Sequence, residues 1–167
     1  MKNLGVFYGS TTGTCEGIAR AIAGKLGIPE ENVIDVSKMT TEKVAVYDVL
    51  ILGTSTWGDG ELQDDWYDGA ELLKKLNLSD KMIALFGCGD SESYSDTFCD
   101  AMGVLYNDLK NTGCTFIGQV SVDDYTFSSS NAVMGSNFVG LALDEVNEDN
   151  KTTKRIESWV EVIKGCL

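Results

Sequence analysis

The chain has 167 residues, 43% of them hydrophobic, with a formal net charge of −13 and no histidine. That length suits one domain with a sizeable core, and no run approaches the roughly 20 apolar residues of a membrane-spanning helix. Such acidity disfavours nucleic acid and anionic lipid as partners, and the missing histidine removes the commonest general base and metal ligand.

An apolar strand is expected at Leu4–Tyr8, then the turn Gly9-Ser10-Thr11-Thr12-Gly13-Thr14, then an amphipathic helix over Cys15–Leu26. A turn this rich in hydroxyls and glycine, opening a helix, reads as a phosphate cradle. Backbone N–H groups and hydroxyls converge on the anion there, and the helix N-terminus adds partial positive charge. The turn carries no Lys or Arg, unlike the nucleotide-triphosphatase loop, and it lacks the G-x-G-x-x-G of dinucleotide-binding turns. The plainer alternative is a Ser/Thr-rich turn that only caps its helix.

Ile18, Ile22 and Leu26 share one face of that helix, which Gly27 and Pro29 close. Further strands are expected at Val33–Val36, Val49–Gly53, Met82–Gly87, Thr115–Gln119 and Val139–Leu143. Three more helical stripes fall between or after them: Trp66, Ala70, Leu73 and Leu76; Phe98, Met102, Leu105 and Leu109; Ile156, Trp159, Val160 and Ile163. Most strand candidates are unbroken apolar runs, as expected where both faces of a parallel sheet are buried. The alternation predicts an α/β fold with a doubly wound parallel sheet. The polar, Ser-rich run 120–137 interrupts the last strand and reads as a surface insertion within a single domain spanning 1–167.

In such sheets ligands sit beyond the carboxyl ends of strands near a topological switch point. The loop after the third strand reads Gly53-Thr54-Ser55-Thr56-Trp57-Gly58-Asp59-Gly60-Glu61-Leu62, and the loop after the fourth reads Gly87-Cys88-Gly89-Asp90-Ser91-Glu92-Ser93-Tyr94. Each sets one large aromatic among glycines and small polar residues. A flat ring held between Trp57 and Tyr94, its phosphate on the first loop, accounts for all three segments. Taken singly, Trp57 also reads as a core anchor and Tyr94 as a surface tyrosine.

Five cysteines, odd in number and without a C-x-x-C pair, point to a reduced cytoplasmic protein with no zinc site. The N-terminus runs straight into a strand, with no secretory pattern. No basic residue lies between Lys43 and Lys74, and only Lys110 lies between Lys81 and Lys151. The acids gather in the expected loops, a distribution that steers toward basic protein surfaces.

These segments resemble the flavodoxins, small FMN electron carriers. The resemblance runs through Ser10–Cys15, Thr56–Leu62, Gly89-Asp90, Tyr94–Gly103, Phe138–Glu145 and Arg155–Trp159, and it covers essentially the whole chain. The interruption at 120–137 is similar to the extra loop of the long-chain subgroup. The resemblance implies a flavodoxin-like, five-stranded sheet of order 2-1-3-4-5 with helices on both faces. It implies that Ser10, Thr11, Thr12, Gly13, Thr14 and Cys15 hold the FMN phosphate. By the same resemblance Ser55, Thr56, Trp57, Gly58 and Gly60 contact the flavin and ribityl chain, and Cys88, Gly89, Asp90, Tyr94, Thr97 and Cys99 hold the other side. Asp144 is implied to reach the ribityl hydroxyls. No residue is assigned to catalysis or to a metal. Cys15 stands where Thr or Asn is usual in the family, Ser55 where Pro is frequent, and Thr97 where Asn or Asp is common.

The function so implied is low-potential one-electron transfer, cycling chiefly between flavin semiquinone and hydroquinone, with no substrate reaction of the protein's own. Implied partners are basic faces of redox enzymes: 2-oxoacid oxidoreductases and NADPH-flavodoxin reductase as donors, nitrogenase or radical-enzyme systems as acceptors. The protein is expected to be a monomer that binds neither nucleic acid nor membrane. The alternative is an FMN-dependent NAD(P)H:quinone reductase of the flavodoxin-like superfamily, which needs a nicotinamide pocket over the flavin. A signalling receiver domain shares the fold but needs carboxylates after the first strand and a lysine after the fifth. Here the first loop reads Ser-Thr-Thr-Gly, and no lysine occurs from Thr115 to Asn150.

Overall fold

The computed structural model describes residues 2–167. Strand β1 (Leu4–Gly9) lies between β2 (Val33–Asp35) and β3 (Val49–Trp57), parallel to both, with Leu4 opposite Val49 and Val6 opposite Val33. On the far side of β3 runs β5 (Met82–Cys88), also parallel, with Leu50 opposite Ile83. Side chains alternate between the faces, so an unbroken apolar run serves two cores. Leu50 and Leu52 pack with Phe7, Trp66 and Met102 on one face. Val49 and Ile51 pack with Val6, Ile22 and Trp159 on the other. The first core is roofed by α3 (Trp66–Lys74) and α4 (Asp100–Leu109), the second by α1 (Thr14–Leu26) and α5 (Asp149–Cys166). Trp66 and Trp159 are almost completely buried, and each indole N–H donates to a backbone carbonyl, of Gly53 and Gly118 respectively, at 2.7 Å. The expected doubly wound parallel sheet is therefore present.

The fifth strand is divided. Its first piece, β6 (Thr115–Ile117), pairs with Met82–Ala84, and its second, β10 (Leu141–Leu143), pairs with Phe86–Cys88. The expected second piece began at Val139, but the Val139 N–H donates to the Ala132 carbonyl at 2.8 Å and so belongs to the insertion. The insertion is not irregular throughout. Strands β7 (Val120–Ser121), β8 (Val133–Met134) and β9 (Asn137–Phe138) form a small antiparallel sheet in the order β7-β9-β8. Strand β3 runs four residues past its expected end at Gly53. Its tip folds against the two-residue β4 (Glu61–Leu62) in an antiparallel hairpin, Thr56 opposite Leu62. A short helix, α2 (Thr41–Ala45), capped by the Thr40 hydroxyl accepting from the Lys43 N–H, was not expected; one turn carries too little periodicity to read. Helix α4 starts at Asp100 rather than Phe98 because Cys99, at φ 55°, sits in the left-handed region. Among the described residues no helix is long and apolar enough to cross a membrane.

Candidate functional site

The carboxyl ends of β1, β3 and β5 open on one side of the sheet, and their loops meet around a cavity of about 360 Å³. Thr12 and Thr14 come from the first loop, Ser55, Thr56, Trp57 and Gly58 from the second, and Cys88, Gly89, Asp90, Tyr94 and Thr97 from the third. Glu145 and Val146, after β10, close it. The convergence follows from topology: β1 and β3 are neighbours in a sheet whose chain order reverses at β1, which leaves a crevice at their ends.

The first loop supplies donors without acceptors. Helix α1 begins with no side-chain cap, and its first internal backbone bond runs from the Gly17 N–H to the Gly13 carbonyl at 3.0 Å. The N–H groups of Thr14, Cys15 and Glu16 precede that bond, and no acceptor reaches them, or those of Thr11 and Thr12, among the described residues. Ser10 Oγ accepts from the Gly13 N–H at 3.0 Å and tightens the turn. Five free amides around a helix N-terminus, flanked by exposed Thr hydroxyls, form a seat for a phosphate with no cation in it. Gln63, which the sequence reading missed, donates its amide N–H to Thr11 Oγ1 at 3.1 Å and so joins the second loop to the first.

The second loop is held by its hairpin. Trp57 is 41% exposed at the cavity rim, with its indole N–H donating to Ser55 Oγ at 2.7 Å. Gly60 has φ +91°, and a Cβ there would lie 2.7 Å from Asp100 Oδ2, so both backbone and space demand glycine. Gly60 is not among the residues lining the cavity, and its close approach to Asp100 seats the loop on α4.

Tyr94, 57% exposed, faces Trp57's loop from the third segment. That segment is buttressed by the insertion. Ser130 Oγ donates to the Phe98 carbonyl, the Phe98 N–H donates to the Ser129 carbonyl, and Phe127 stacks on Phe98 with ring centres 5.5 Å apart. Asp100 accepts from the Asn131 N–H at 2.7 Å, and burial raises its carboxyl above the usual range. No sequence signal tied these polar insertion residues to the site.

Two more expected residues lie outside the lining. Asp144 is completely buried and turned inward: Oδ2 accepts from the Ser91 N–H and hydroxyl, and Oδ1 from the Val146 and Asn147 N–H groups. It does not line the cavity, so the expected contact with ribityl hydroxyls is corrected to a clamp between the third loop and the turn after β10. Burial opposes its ionisation, but the Ser91 and Asn147 hydrogen bonds outweigh that and hold its pKa below the ordinary value. Cys99 is likewise buried behind Gly89, where a glycine Cβ would lie 2.9 Å from the Cys99 N, and it backs the cavity without lining it. Asp90, by contrast, lines the rim; burial raises its pKa, yet hydrogen bonds from Ser93, Asn147 and Glu92 lower it further than that. Ser10, Thr11, Gly13 and Cys15 belong to the phosphate seat beside the cavity rather than to its lining.

The residues present fit an FMN. An anion seat, a crevice lined by backbone and small side chains, and two exposed aromatics stand in one row. Thr12 and Thr14 would hold the phosphate with the free amides, and Trp57 and Tyr94 would hold the ring. No Lys or Arg lines the cavity.

Comparison with known proteins agrees with this geometry. The flavodoxin family model matches residues 6–159. The chain is 44% identical over 164 residues to a flavodoxin of Buchnera aphidicola subsp. Acyrthosiphon pisum, covering 98% of this chain and 96% of that one. It is 40% identical over 168 residues to flavodoxin 1 of Escherichia coli K12, covering 100% and 96% of the two chains. The crystal structure of Fusobacterium nucleatum flavodoxin bound to flavin mononucleotide superposes with a TM-score of 0.89 at 30% identity, over 99% of this chain and 98% of that one. The chain belongs to the flavodoxin family.

Proposed function

We propose that the protein binds one FMN non-covalently in the cavity at the ends of β1, β3 and β5 and works as a low-potential, one-electron carrier. The observation that supports this most is the five acceptor-free amides at the start of α1, set beside a crevice rimmed by Trp57 and Tyr94. Bound FMN would supply the electron-transfer chemistry.

The chain's own residues would set which flavin charge states are tolerated. Asp90 and Glu145 line the cavity, the phosphate seat holds no cation, and Asp59 and Glu61 sit in the second loop. A unit charge about 10 Å from the ring, at an effective dielectric of ~20, acts with roughly 1.7 kcal/mol. For one electron, ~1.4 kcal/mol corresponds to about 59 mV. Several such carboxylates would disfavour the anionic hydroquinone by a few hundred millivolts and favour the semiquinone.

Gly58, at the cavity edge, would accept a hydrogen bond from a protonated flavin nitrogen through its carbonyl. Its φ is +52°, and a Cβ would meet the Glu61 carboxylate at 3.5 Å, an ordinary contact. Alanine therefore fits the space but resists the backbone conformation by about 1–2 kcal/mol. Gly58→Ala is expected to keep the fold and FMN while lowering the semiquinone yield in a dithionite titration followed by absorbance. Unchanged yield would refute the role of Gly58, and a parent protein reduced in one two-electron step would refute the carrier reading.

The docking face in this reading is the acidic rim around the cavity, complementary to basic surfaces of donor and acceptor oxidoreductases, including 2-oxoacid oxidoreductases, NADPH-flavodoxin reductases, nitrogenase and radical-enzyme systems. Association with any of them is expected to slow as ionic strength rises.

A further inference from the structure

Cys15 and Cys88 approach each other under the phosphate seat with their sulfurs 3.4 Å apart, one thiol bonded to the other. They come from different elements, the first turn of α1 and the last residue of β5. Cys15 is completely buried, whereas Cys88 keeps a trace of exposure and lines the cavity. Cys99, the other buried cysteine, directs its sulfur toward the Gly87 and Leu143 carbonyls instead.

We infer that Cys15 and Cys88 form a reversible disulfide that controls the phosphate seat. The inference rests on the FMN reading given above. The oxidant is a hydroperoxide entering the empty cavity. The Cys88 thiolate attacks one peroxide oxygen, the O–O bond breaks, and water or alcohol leaves, giving the Cys88 sulfenic acid. The Cys15 thiol then attacks the Cys88 sulfur, its proton leaving with the sulfenic hydroxyl as a second molecule of water. Two thiols lose two electrons and two protons, and one peroxide is reduced. The bond to Cys15 and the burial of Cys88 both push its thiol well above the ordinary range, so the thiolate is scarce and closure is slow.

Closing the pair brings the sulfurs to about 2.05 Å, a shift of about 1.3 Å that the first turn of α1 must share. The free Cys15 N–H belongs to that turn, so the disulfide draws a donor out of the seat. Coupling between linked sites typically amounts to about 5–150-fold in affinity, and it is reciprocal. FMN binds the disulfide form more weakly, and by the same factor bound FMN resists oxidation of the pair. An empty carrier is thereby held closed under peroxide until a dithiol reductant reopens it.

The test treats apoprotein and FMN-loaded protein, both in native buffer, with hydrogen peroxide, and maps alkylated peptides by fragmentation mass spectrometry. Expected are a Cys15–Cys88 crosslink in the apoprotein, protection of both thiols by FMN, an FMN dissociation constant raised at least fivefold in the crosslinked form, and recovery with dithiothreitol. Cys15→Ser and Cys88→Ser each abolish the crosslink. The inference is overturned if the folded apoprotein keeps both thiols, if each is oxidised separately to the sulfinic acid, if Cys99 replaces either partner, or if the crosslinked form binds FMN as the reduced form does. Reduced protein that binds no FMN would instead overturn the carrier reading, while the peptide map still decides whether the disulfide forms.

Discussion

Trp57→Ala is expected to weaken FMN binding by about 1–3 kcal/mol, the range for removing one aromatic stacking partner from a base-like ring, or roughly 5–150-fold in dissociation constant. The size follows from the position of the ring. Trp57 is the last residue of β3, 41% exposed, and it contributes to no core cluster, so its removal leaves packing intact. Its indole N–H is fixed on Ser55 Oγ, and its loop is pinned by the β4 hairpin and by Gly60 against Asp100. The ring is therefore ordered before the flavin arrives, and little rotamer entropy opposes stacking. Trp57→Phe keeps a face but loses the Ser55 anchor, and an intermediate loss is expected. The check is quenching of FMN fluorescence on titration with each apoprotein. Equal affinities for parent and Trp57→Ala would mean that the ring does not stack there.

The second large effect concerns Asp144. Replacing it with Ala strands the buried Ser91 N–H and hydroxyl and removes the acceptor of the half-buried hydrogen bonds from the Val146 and Asn147 N–H groups. Leaving such donors unpaired costs roughly 3 kcal/mol, and in a chain of this length each kcal/mol lowers Tm by about 2–4 °C. A fall of roughly 6–12 °C is thus expected in thermal unfolding, with weaker FMN binding because Glu145, Val146 and Asp90 lose their clamp. The pH dependence has a definite sign. Asp144 titrates below its unfolded value in the native state, so its contribution is fully present above about pH 4. It is lost as pH falls through the depressed native value. Parent and Asp144→Ala stabilities should therefore differ most near neutrality and converge in acid. A difference that does not shrink as acid is added would contradict the ionised clamp.

Much of the architecture could be read directly because its signals are local and redundant. Val49–Leu52 and Ile83–Phe86 are apolar at every position, and the helices between strands keep a regular stripe. The phosphate seat was legible for the same reason: hydroxyls and glycines directly precede a helix. What stayed hidden depends on tertiary pairing. The tip of β3 consists of Thr54, Ser55 and Thr56, which read as loop, and only the partner strand at Glu61–Leu62 makes it a hairpin. Asp144 was assigned a ligand role by resemblance, yet its surroundings are the backbone of Ser91 and of the turn that follows it. The contribution of Ser129, Ser130 and Asn131 depends on residues about 31 positions away. Polar insertions carry no periodicity from which such pairing can be inferred.

One flavin phosphate seated on uncharged donors, with its ring between Trp57 and Tyr94, would give the protein a definite binding signature. Titrating the purified apoprotein with FMN, while recording its visible spectrum and emission, tests it most directly. Saturation at one FMN per chain is expected, with quenched emission, shifted flavin bands and a blue colour on partial reduction. Folded apoprotein that leaves the spectrum and emission of added FMN unchanged would contradict it.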